Sequence, residues 1–321
     1  KNLADIEQII RLNQQLQDAA AASELKLPLF ISIDQEGGRV ARLPRHQATS
    51  FAGNMAIGAT YAKYGKRFAT DVGTILADEL RVLGINVNFA PTVDVNVNPQ
   101  NPVINVRSFA EQAAVVAELG GAMTAAMQQQ GVIAALKHFP GHGDTETDSH
   151  YTLPVIRHSE TRIKDIDLYP YRELIENDLM SVMVAHLHVP SMDSETNKAT
   201  TLSKYVVTDL LKKQMNFNGL VFTDALNMKG VSSYLKPGEV DLYALLAGND
   251  VLLYSQDVPK AKALIKEAIA SGVISEREVD RRVKKILKAK YFSYTQCWPL
   301  SKYLCKYRAK KHLFHSRPFF N

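Results

Sequence analysis

Ionisable side chains stand at the ends of short apolar runs in this sequence. Asp224 follows a Leu-Val-Phe run, Asp34 ends the run 29–34, and His186 lies near the end of the run 181–188. A carboxylate held at the end of a rigid strand can attack the anomeric carbon of a sugar if a second group protonates the departing oxygen. A single aspartate in such a place is often only the N-cap of the next helix, so only the convergence of several groups indicates a site.

A candidate for that second group lies on a loop. Residues 141–150 read Gly-His-Gly-Asp-Thr-Glu-Thr-Asp-Ser-His, and these glycines and small polar residues predict a mobile loop that can carry a group over a bound ligand. Asp148 can accept a hydrogen bond from one imidazole nitrogen of His150, which raises the pKa of the ring and leaves the other nitrogen to exchange a proton near neutral pH. The alternative is a histidine that is merely solvated on an exposed loop.

The histidines also allow a second interpretation, a metal site in a barrel hydrolase. His186 and His188 are two residues apart and would share one face of a strand, and Lys137, His138 and Asp224 could complete the set. In the common metal-dependent barrel hydrolases, however, the His-x-His pair stands on the first strand, ahead of the lysine. We therefore expect no metal and no other cofactor.

Six short apolar runs alternate with longer segments of helical period, a pattern typical of parallel strands joined by crossover helices. The predicted strands cover residues 29–34, 86–94, 134–140, 181–188, 220–226 and 250–255. Because the carboxyl ends of strands meet at one mouth in a parallel α/β barrel, the polar residues above would share one site.

The last predicted helix begins at a capping box made by Ser275 and Glu278. Its predicted inner face consists of Val279, Val283, Ile286 and Leu287.

Charge and composition divide the chain at about residue 290. The net charge is +5, but residues 291–321 carry six Lys/Arg and no Asp/Glu, while residues 1–290 are close to neutral. We predict one domain over residues 1–290 and a basic, non-homologous tail over residues 291–321, which also holds both cysteines. A body without a basic face predicts no nucleic-acid partner, and no run of about 18 apolar residues predicts a membrane span.

Three blocks of this sequence resemble the signature of the bacterial β-N-acetylglucosaminidases of glycoside hydrolase family 3. Residues 137–143 read Lys-His-Phe-Pro-Gly-His-Gly and lead to Asp-Ser-His at 148–150, residues 34–40 read Asp-Gln-Glu-Gly-Gly-Arg-Val, and residues 223–226 read Thr-Asp-Ala-Leu. Three blocks in the family's order are far more specific than one short motif. The resemblance implies an α/β fold, a (β/α)8 TIM-like barrel of which this chain lacks the first two strands.

The resemblance also implies roles for individual residues. Asp224 would be the nucleophile, and His150 oriented by Asp148 would be the general acid/base on a flexible loop. The residues implied to hold the N-acetylglucosamine hydroxyls or to border that site are Asp34, Arg42, Arg107, Lys137, His138 and His186. The implied reaction is retaining hydrolysis of terminal non-reducing β-N-acetylglucosamine, from muropeptides of peptidoglycan recycling or from chitooligosaccharides, through a covalent glycosyl-aspartate.

Three alternatives stay open beside this reaction. They are phosphorolysis of the same intermediate, the metal-dependent hydrolase described above, and an inactive sugar-binding remnant, which the missing strands would explain. We expect a monomer whose partner is a small carbohydrate. The sequence begins at Lys1 rather than Met, so the cytoplasm is only slightly favoured over the periplasm or secretion after removal of an upstream signal.

Overall fold

The computed structural model describes residues 3–149, 151–233 and 235–297, with side chains as far as residue 293. In these residues, six parallel strands form one sheet in chain order, so β1 and β6 are its two edges and the sheet is an open half-barrel. The strands are β1 Ser32–Ile33, β2 Val87–Asn88, β3 Ile133–Phe139, β4 Ser181–Val184, β5 Leu220–Ala225 and β6 Val251–Leu253. All six predicted strands are confirmed, most of them shorter than predicted.

Helices cover the connections between the strands. They are α1 Ile6–Ala22, α2 Asn54–Ala59, α3 Tyr61–Tyr64, α4 Arg67–Val82, α5 Ala113–Gln129, α6 Glu160–Asp165, α7 Tyr169–Ile175, α8 Lys229–Ser232, α9 Glu239–Ala247, α10 Val258–Ala270 and α11 Glu276–Cys297. Short 3-10 helices span Asn105–Arg107 and Thr200–Leu202, and a π-helix, Tyr205–Gln214, joins β4 to β5. In the described part of the chain, no helix is both long and apolar enough to cross a bilayer.

Side chains alternate between two apolar clusters along the strands. On β3, Ile133 and Ala135 belong to the cluster on the concave side of the sheet, whereas Ala134 and Leu136 belong to the larger cluster under the helices. This is the two-residue period of a strand that is covered on both faces. Lys137 is two residues beyond Ala135, so the same alternation directs its side chain to the concave side.

Asp224 lies at the end of β5. Leu220 and Phe222 of β5 both belong to the concave cluster, and Asp224 follows where the pairing of β5 with β6 shifts register, between Phe222 and Ala225. The Lys137 ammonium helps to lower the pKa of Asp224, so the carboxylate and the ammonium lie near each other at the carboxyl ends of their strands.

The inner face predicted for α11 is wrong in part. Val283 and Leu287 are 45% and 37% exposed, whereas Arg282 and Ala289 are buried. The guanidinium of Arg282 donates to the Leu245 carbonyl at 2.6 Å and to the Asn249 carbonyl at 2.9 Å. A charged side chain therefore faces inward because it satisfies carbonyls at the end of α9, which an apolar residue could not do.

The two ends of α11 concern the predicted capping box and the predicted tail. Ser275 Oγ accepts from the Glu278 backbone N–H at 3.2 Å, which is one half of the predicted capping box, while the Glu278 carboxylate accepts from Arg281 and Arg282. The helix runs across residue 290, and Phe292 packs against the concave cluster. Residues 298–321 lie outside the described residues, so the separate tail stays a prediction.

Candidate active site

The chain turns sharply after β1 and carries Glu36 into the interior. The backbone N–H groups of Glu36 and Gly37 both donate to the Val40 carbonyl, at 2.9 and 3.1 Å. Gly37 and Gly38 have φ values of 93° and 58°, which side chains rarely allow, and a Cβ on Gly38 would lie 3.1 Å from the Ala52 carbonyl oxygen. The two glycines are therefore required by the turn that places the neighbouring carboxylate.

Four charged side chains meet beyond this turn. Arg107 donates to both carboxylate oxygens of Glu36, from Nη2 at 2.7 Å and from Nε at 2.9 Å. Lys137 Nζ lies 2.7 Å from Glu36 and 2.8 Å from Asp34. The side chains of Glu36 and Lys137 are each 2% exposed, whereas that of Asp34 is 40% exposed. Asp34 thus offers its carboxylate to an incoming ligand, and Glu36 stays behind the two cations.

In this cluster, Glu36 and Lys137 both stay ionised at neutral pH. Burial opposes ionisation of Glu36, but Lys137 and Arg107 outweigh it and hold the pKa of that carboxyl well below its usual range. Burial also opposes protonation of Lys137, and the charges of Glu36 and Asp34 raise the pKa of that ammonium above its usual value. The site therefore presents fixed donors at neutral pH.

Asp94 organises a second, adjacent cluster. Its Oδ2 lies 2.7 Å from His138 Nδ1, and its Oδ1 accepts the backbone N–H groups of His138 and His142 at 3.2 and 2.7 Å. Arg107 Nη2 lies 3.3 Å from His138 Nε2. A guanidinium only donates, so Nε2 is the accepting nitrogen and Nδ1 carries the proton that Asp94 binds. Asp94 therefore fixes the orientation of the His138 ring.

Asp224 is half-buried at the end of β5. Its Oδ1 accepts the backbone N–H of Ala225 at 2.7 Å. Burial favours the neutral carboxyl, but electrostatic interactions with the His186 and His138 rings and this backbone donor lower the pKa of Asp224 below its usual value. The charge of Asp224 in turn contributes to the raised pKa of Arg107, so the carboxylate lies within electrostatic reach of the first cluster. An ionised carboxylate at this place can act as a nucleophile.

His186 is buried behind Asp224. Its Nδ1 lies 2.7 Å from Thr201 Oγ1, and its Nε2 lies 3.0 Å from the Ala225 carbonyl oxygen. Both ring nitrogens thus have protein partners, which leaves neither for a metal ion. Among the described residues, no group of three or more His, Cys, Asp or Glu has the arrangement of a metal site.

The loop predicted to be mobile is anchored over most of its length. His142 Nδ1 lies 2.8 Å from Thr145 Oγ1, and its Nε2 lies 3.3 Å from Ser149 Oγ. The Asn101 side chain donates to the His142 carbonyl at 2.8 Å. Burial and the electrostatic interaction with the neighbouring His138 lower the pKa of His142 to about 4, so its ring is neutral at physiological pH. A neutral imidazole thus joins both ends of the loop.

The other predicted site residues are Asp148, His150 and Arg42. Asp148 is half-buried on this loop, whereas His150 lies outside the described residues. The Arg42 side chain is exposed, and its backbone N–H donates to Gln35 Oε1 at 2.7 Å in the turn after β1. The structure therefore brings Asp34, Arg107, Lys137 and His138 into contact, but it does not bring Arg42 into that cluster.

Sequence reasoning missed three residues that organise the site. Glu36, Asp94 and His142 are buried, and each has several polar partners. Asp94 ends a predicted strand, which is the signal that could have found it. The other two stood inside recognised blocks but look like exposed loop residues, because nothing local reveals their distant partners.

The chain as a whole has counterparts among known proteins. The profile of the Glycosyl hydrolase family 3 N terminal domain matches residues 1–289. The chain belongs to glycosyl hydrolase family 3. The family resemblance of the three sequence blocks is thereby confirmed.

The relatives of this family 3 chain are longer than it is. It is 43% identical over 309 residues to β-hexosaminidase A of Pseudoalteromonas piscicida, covering 90% of this chain and 52% of the relative. A family 3 β-N-acetylglucosaminidase from Paenibacillus sp. superposes with a TM-score of 0.86 at 41% identity, covering 93% of this chain and 56% of that protein. The β-glucoside phosphorylase BglX superposes with a TM-score of 0.84 at 25% identity, covering 94% of this chain and 55% of that protein. The chain thus spans about half the length of these relatives.

Proposed function

We propose that this family 3 domain hydrolyses terminal non-reducing β-N-acetylglucosaminides with net retention, with Asp224 as the nucleophile. One observation carries the proposal. Asp224 stands at the end of β5, ionised, within electrostatic reach of Lys137, His138 and Arg107. Donors of this kind hold sugar hydroxyls, and a fixed carboxylate beside them is what the first step of a retaining glycosidase needs.

In the first step a carboxylate oxygen of Asp224 forms a bond to the anomeric carbon while the bond from that carbon to the leaving oxygen breaks. His150, oriented by Asp148, gives its proton to that oxygen. The products of the step are a glycosyl ester on Asp224, a neutral imidazole and the released alcohol.

In the second step water attacks the same carbon from the face that the leaving group vacated. The neutral imidazole of His150 takes a proton from the water as the ester bond breaks, which restores the Asp224 carboxylate and the imidazolium. Two inversions at one carbon give net retention.

The sugar in this proposal is held by the first cluster. Lys137 and Arg107 donate to hydroxyls of the sugar, and the exposed Asp34 carboxylate accepts from a hydroxyl. The His138 imidazole, which Asp94 orients, contacts the sugar with its edge. Arg42 and His186 complete the site in the proposal, Arg42 by closing over the sugar and His186 by bordering it.

The names of the relatives support N-acetylglucosamine as the sugar, since one is a β-hexosaminidase and another a β-N-acetylglucosaminidase. We take muropeptide fragments or short chitooligosaccharides as the substrates. We further propose that the six-stranded sheet corresponds to six strands of a (β/α)8 barrel and that the domain is monomeric, which sedimentation velocity would test.

The test is release of nitrophenol from 4-nitrophenyl β-N-acetylglucosaminide. The wild-type protein should turn the substrate over, Asp224→Ala should abolish turnover, and His150→Ala should slow it by about 10²-fold or more. His188→Gln is a matched control, because that ring lies outside the cluster and its Nδ1 has no hydrogen-bond partner among the residues that the structure describes. An Asp224→Ala variant with wild-type activity would refute the proposal.

A second candidate, phosphorolysis, is favoured by the similarity to β-glucoside phosphorylase BglX. A histidine repels an incoming phosphate less than a carboxylate acid/base would. Assaying for N-acetylglucosamine 1-phosphate in phosphate buffer separates the two reactions. Binding of N-acetylglucosamine without any turnover would instead indicate a sugar-binding remnant.

A further inference from the structure

A backbone contact joins the segment after the proposed nucleophile to the loop of the proposed acid/base. The N–H of Gly230, in α8, donates to the Ser149 carbonyl at 3.1 Å. An amide in the first turn of a helix has no partner within its own helix, so this carbonyl satisfies it. Ser149 is the residue between Asp148 and His150 in the sequence.

The contact depends on the absence of a side chain at residue 230. A Cβ built on Gly230 would lie 2.8 Å from the Ser149 carbonyl oxygen, 2.9 Å from the Thr152 carbonyl oxygen and 3.6 Å from His186 Cβ. The first two distances are too short for a real Cβ, and both neighbours are backbone atoms. Gly230 is helical, so alanine would suit its backbone conformation. Only the close approach of the loop excludes a side chain.

The loop is held at the same point from two further directions. His142 Nε2 reaches Ser149 Oγ at 3.3 Å. The N–H groups of Tyr151 and Thr152 both donate to the Asp148 carbonyl, at 3.0 and 3.1 Å, which forms a tight turn there. Asp148, Ser149 and Thr152 are therefore all fixed by hydrogen bonds where the segment lies against α8.

We propose that Gly230 is a positioning residue, which sets the separation between the nucleophile and the acid/base pair by allowing the loop backbone to dock against α8. The inference rests on the proposed function. A methyl group at residue 230 would push the loop outward while leaving Asp224 and the sugar-holding cluster in place. Protonation of the leaving oxygen should then suffer more than nucleophilic attack.

The test compares two substrates whose need for protonation differs. Chitobiose loses a sugar alkoxide that must be protonated, whereas a 2,4-dinitrophenyl β-N-acetylglucosaminide loses a stable phenolate that need not be. For Gly230→Ala we expect kcat/KM on chitobiose to fall by about tenfold or more, and on the dinitrophenyl substrate by less than about threefold, as for partial loss of general-acid catalysis. Ser233→Ala, an exposed change next to the same helix, should leave both values unchanged.

Equal falls on both substrates, or no fall on either, would overturn the positioning role. A wild-type protein that cleaves neither substrate would instead refute the proposed function, and the positioning role with it. If Gly230→Ala does not fold, amide hydrogen exchange of the wild-type protein decides. The Gly230 amide should be protected to the same degree as that of Thr152, because both depend on one docked segment, and rapid exchange at Gly230 would overturn the proposal.

Discussion

At the scale of single residues, the site depends on one buried carboxylate that holds two cations. Glu36 binds Arg107 and Lys137 at once, and neither cation is freely hydrated. Burying two like charges near each other is unfavourable unless an opposite charge stands between them. Glu36 therefore fixes the donors of the proposed sugar site without facing the sugar itself.

Replacing that carboxylate should destabilise the fold. Glu36→Gln leaves two buried cations without their counter-charge, and we expect a loss of about 3–5 kcal/mol in the free energy of unfolding. Urea denaturation at pH 7, followed by circular dichroism, measures it. Glu24→Gln, an exposed change, is the control and should have almost no effect. A Glu36→Gln variant within about 1 kcal/mol of the wild type would contradict this account of the cluster.

His142 makes stability depend on pH. Its pKa falls from 6.5 to about 4 on folding, so between these values the unfolded chain binds a proton that the folded chain does not. Stability from this group is complete above about pH 6.5 and is lost as the pH falls toward 4, by about 3 kcal/mol.

Urea denaturation at pH 7 and pH 4.5 checks this expectation. Other groups titrate over the same range, so the comparison is between the wild type and His142→Gln. The wild type should lose about 2–3 kcal/mol more than the variant between the two pH values. An identical loss in both proteins would show that His142 is not buried in its neutral form.

Individual site residues could be predicted from the sequence more readily than the pairs that they form in the fold. Asp34, Lys137 and His138 were recognisable because each stands at a strand end within a specific block. Glu36 and Asp94 act through partners that are 71 and 44 positions away along the chain, and such pairings exist only after folding. The direct ligands of a site are therefore easier to find than the residues that hold them.

At the scale of elements, short apolar runs carried most of the prediction, because a parallel strand that is covered on both faces is apolar along its length. They located all six strands, at whose ends the candidate site residues stand. Hydrophobicity failed on α11, where it alone decided the predicted inner face. There Arg282 faces inward and Val283 outward, since the neighbouring elements offer carbonyls as well as an apolar surface.

The packing of α4 on α5 offers a test at this scale. Gly73 lies against α5 so closely that an added Cβ would be 2.7 Å from the Met123 carbonyl oxygen. Alanine is the better helix former by about 1 kcal/mol, yet we expect Gly73→Ala to lower the free energy of unfolding by about 1–3 kcal/mol.

Thr70→Ala, an exposed change on the same helix, is the matched control and should be neutral or slightly stabilising. Thermal denaturation of the two variants and the wild type gives the comparison. A Gly73→Ala variant more stable than the wild type would mean that the two helices are not packed so closely.

At the scale of the whole molecule, the described residues form an open half-barrel whose site lies at the carboxyl ends of the strands. The chain belongs to glycosyl hydrolase family 3 and spans about half the length of β-hexosaminidase A. In the proposed reaction, Asp224 becomes covalently attached to the sugar.

A trapped glycosyl-enzyme would reveal this bond. A 5-fluoro N-acetylglucosaminyl fluoride should glycosylate the protein faster than water can release it, and mass spectrometry of a digest then locates the label. We expect one added sugar on the peptide that contains Asp224, and none in Asp224→Ala. A label on another residue, or turnover of the reagent by Asp224→Ala, would contradict the account.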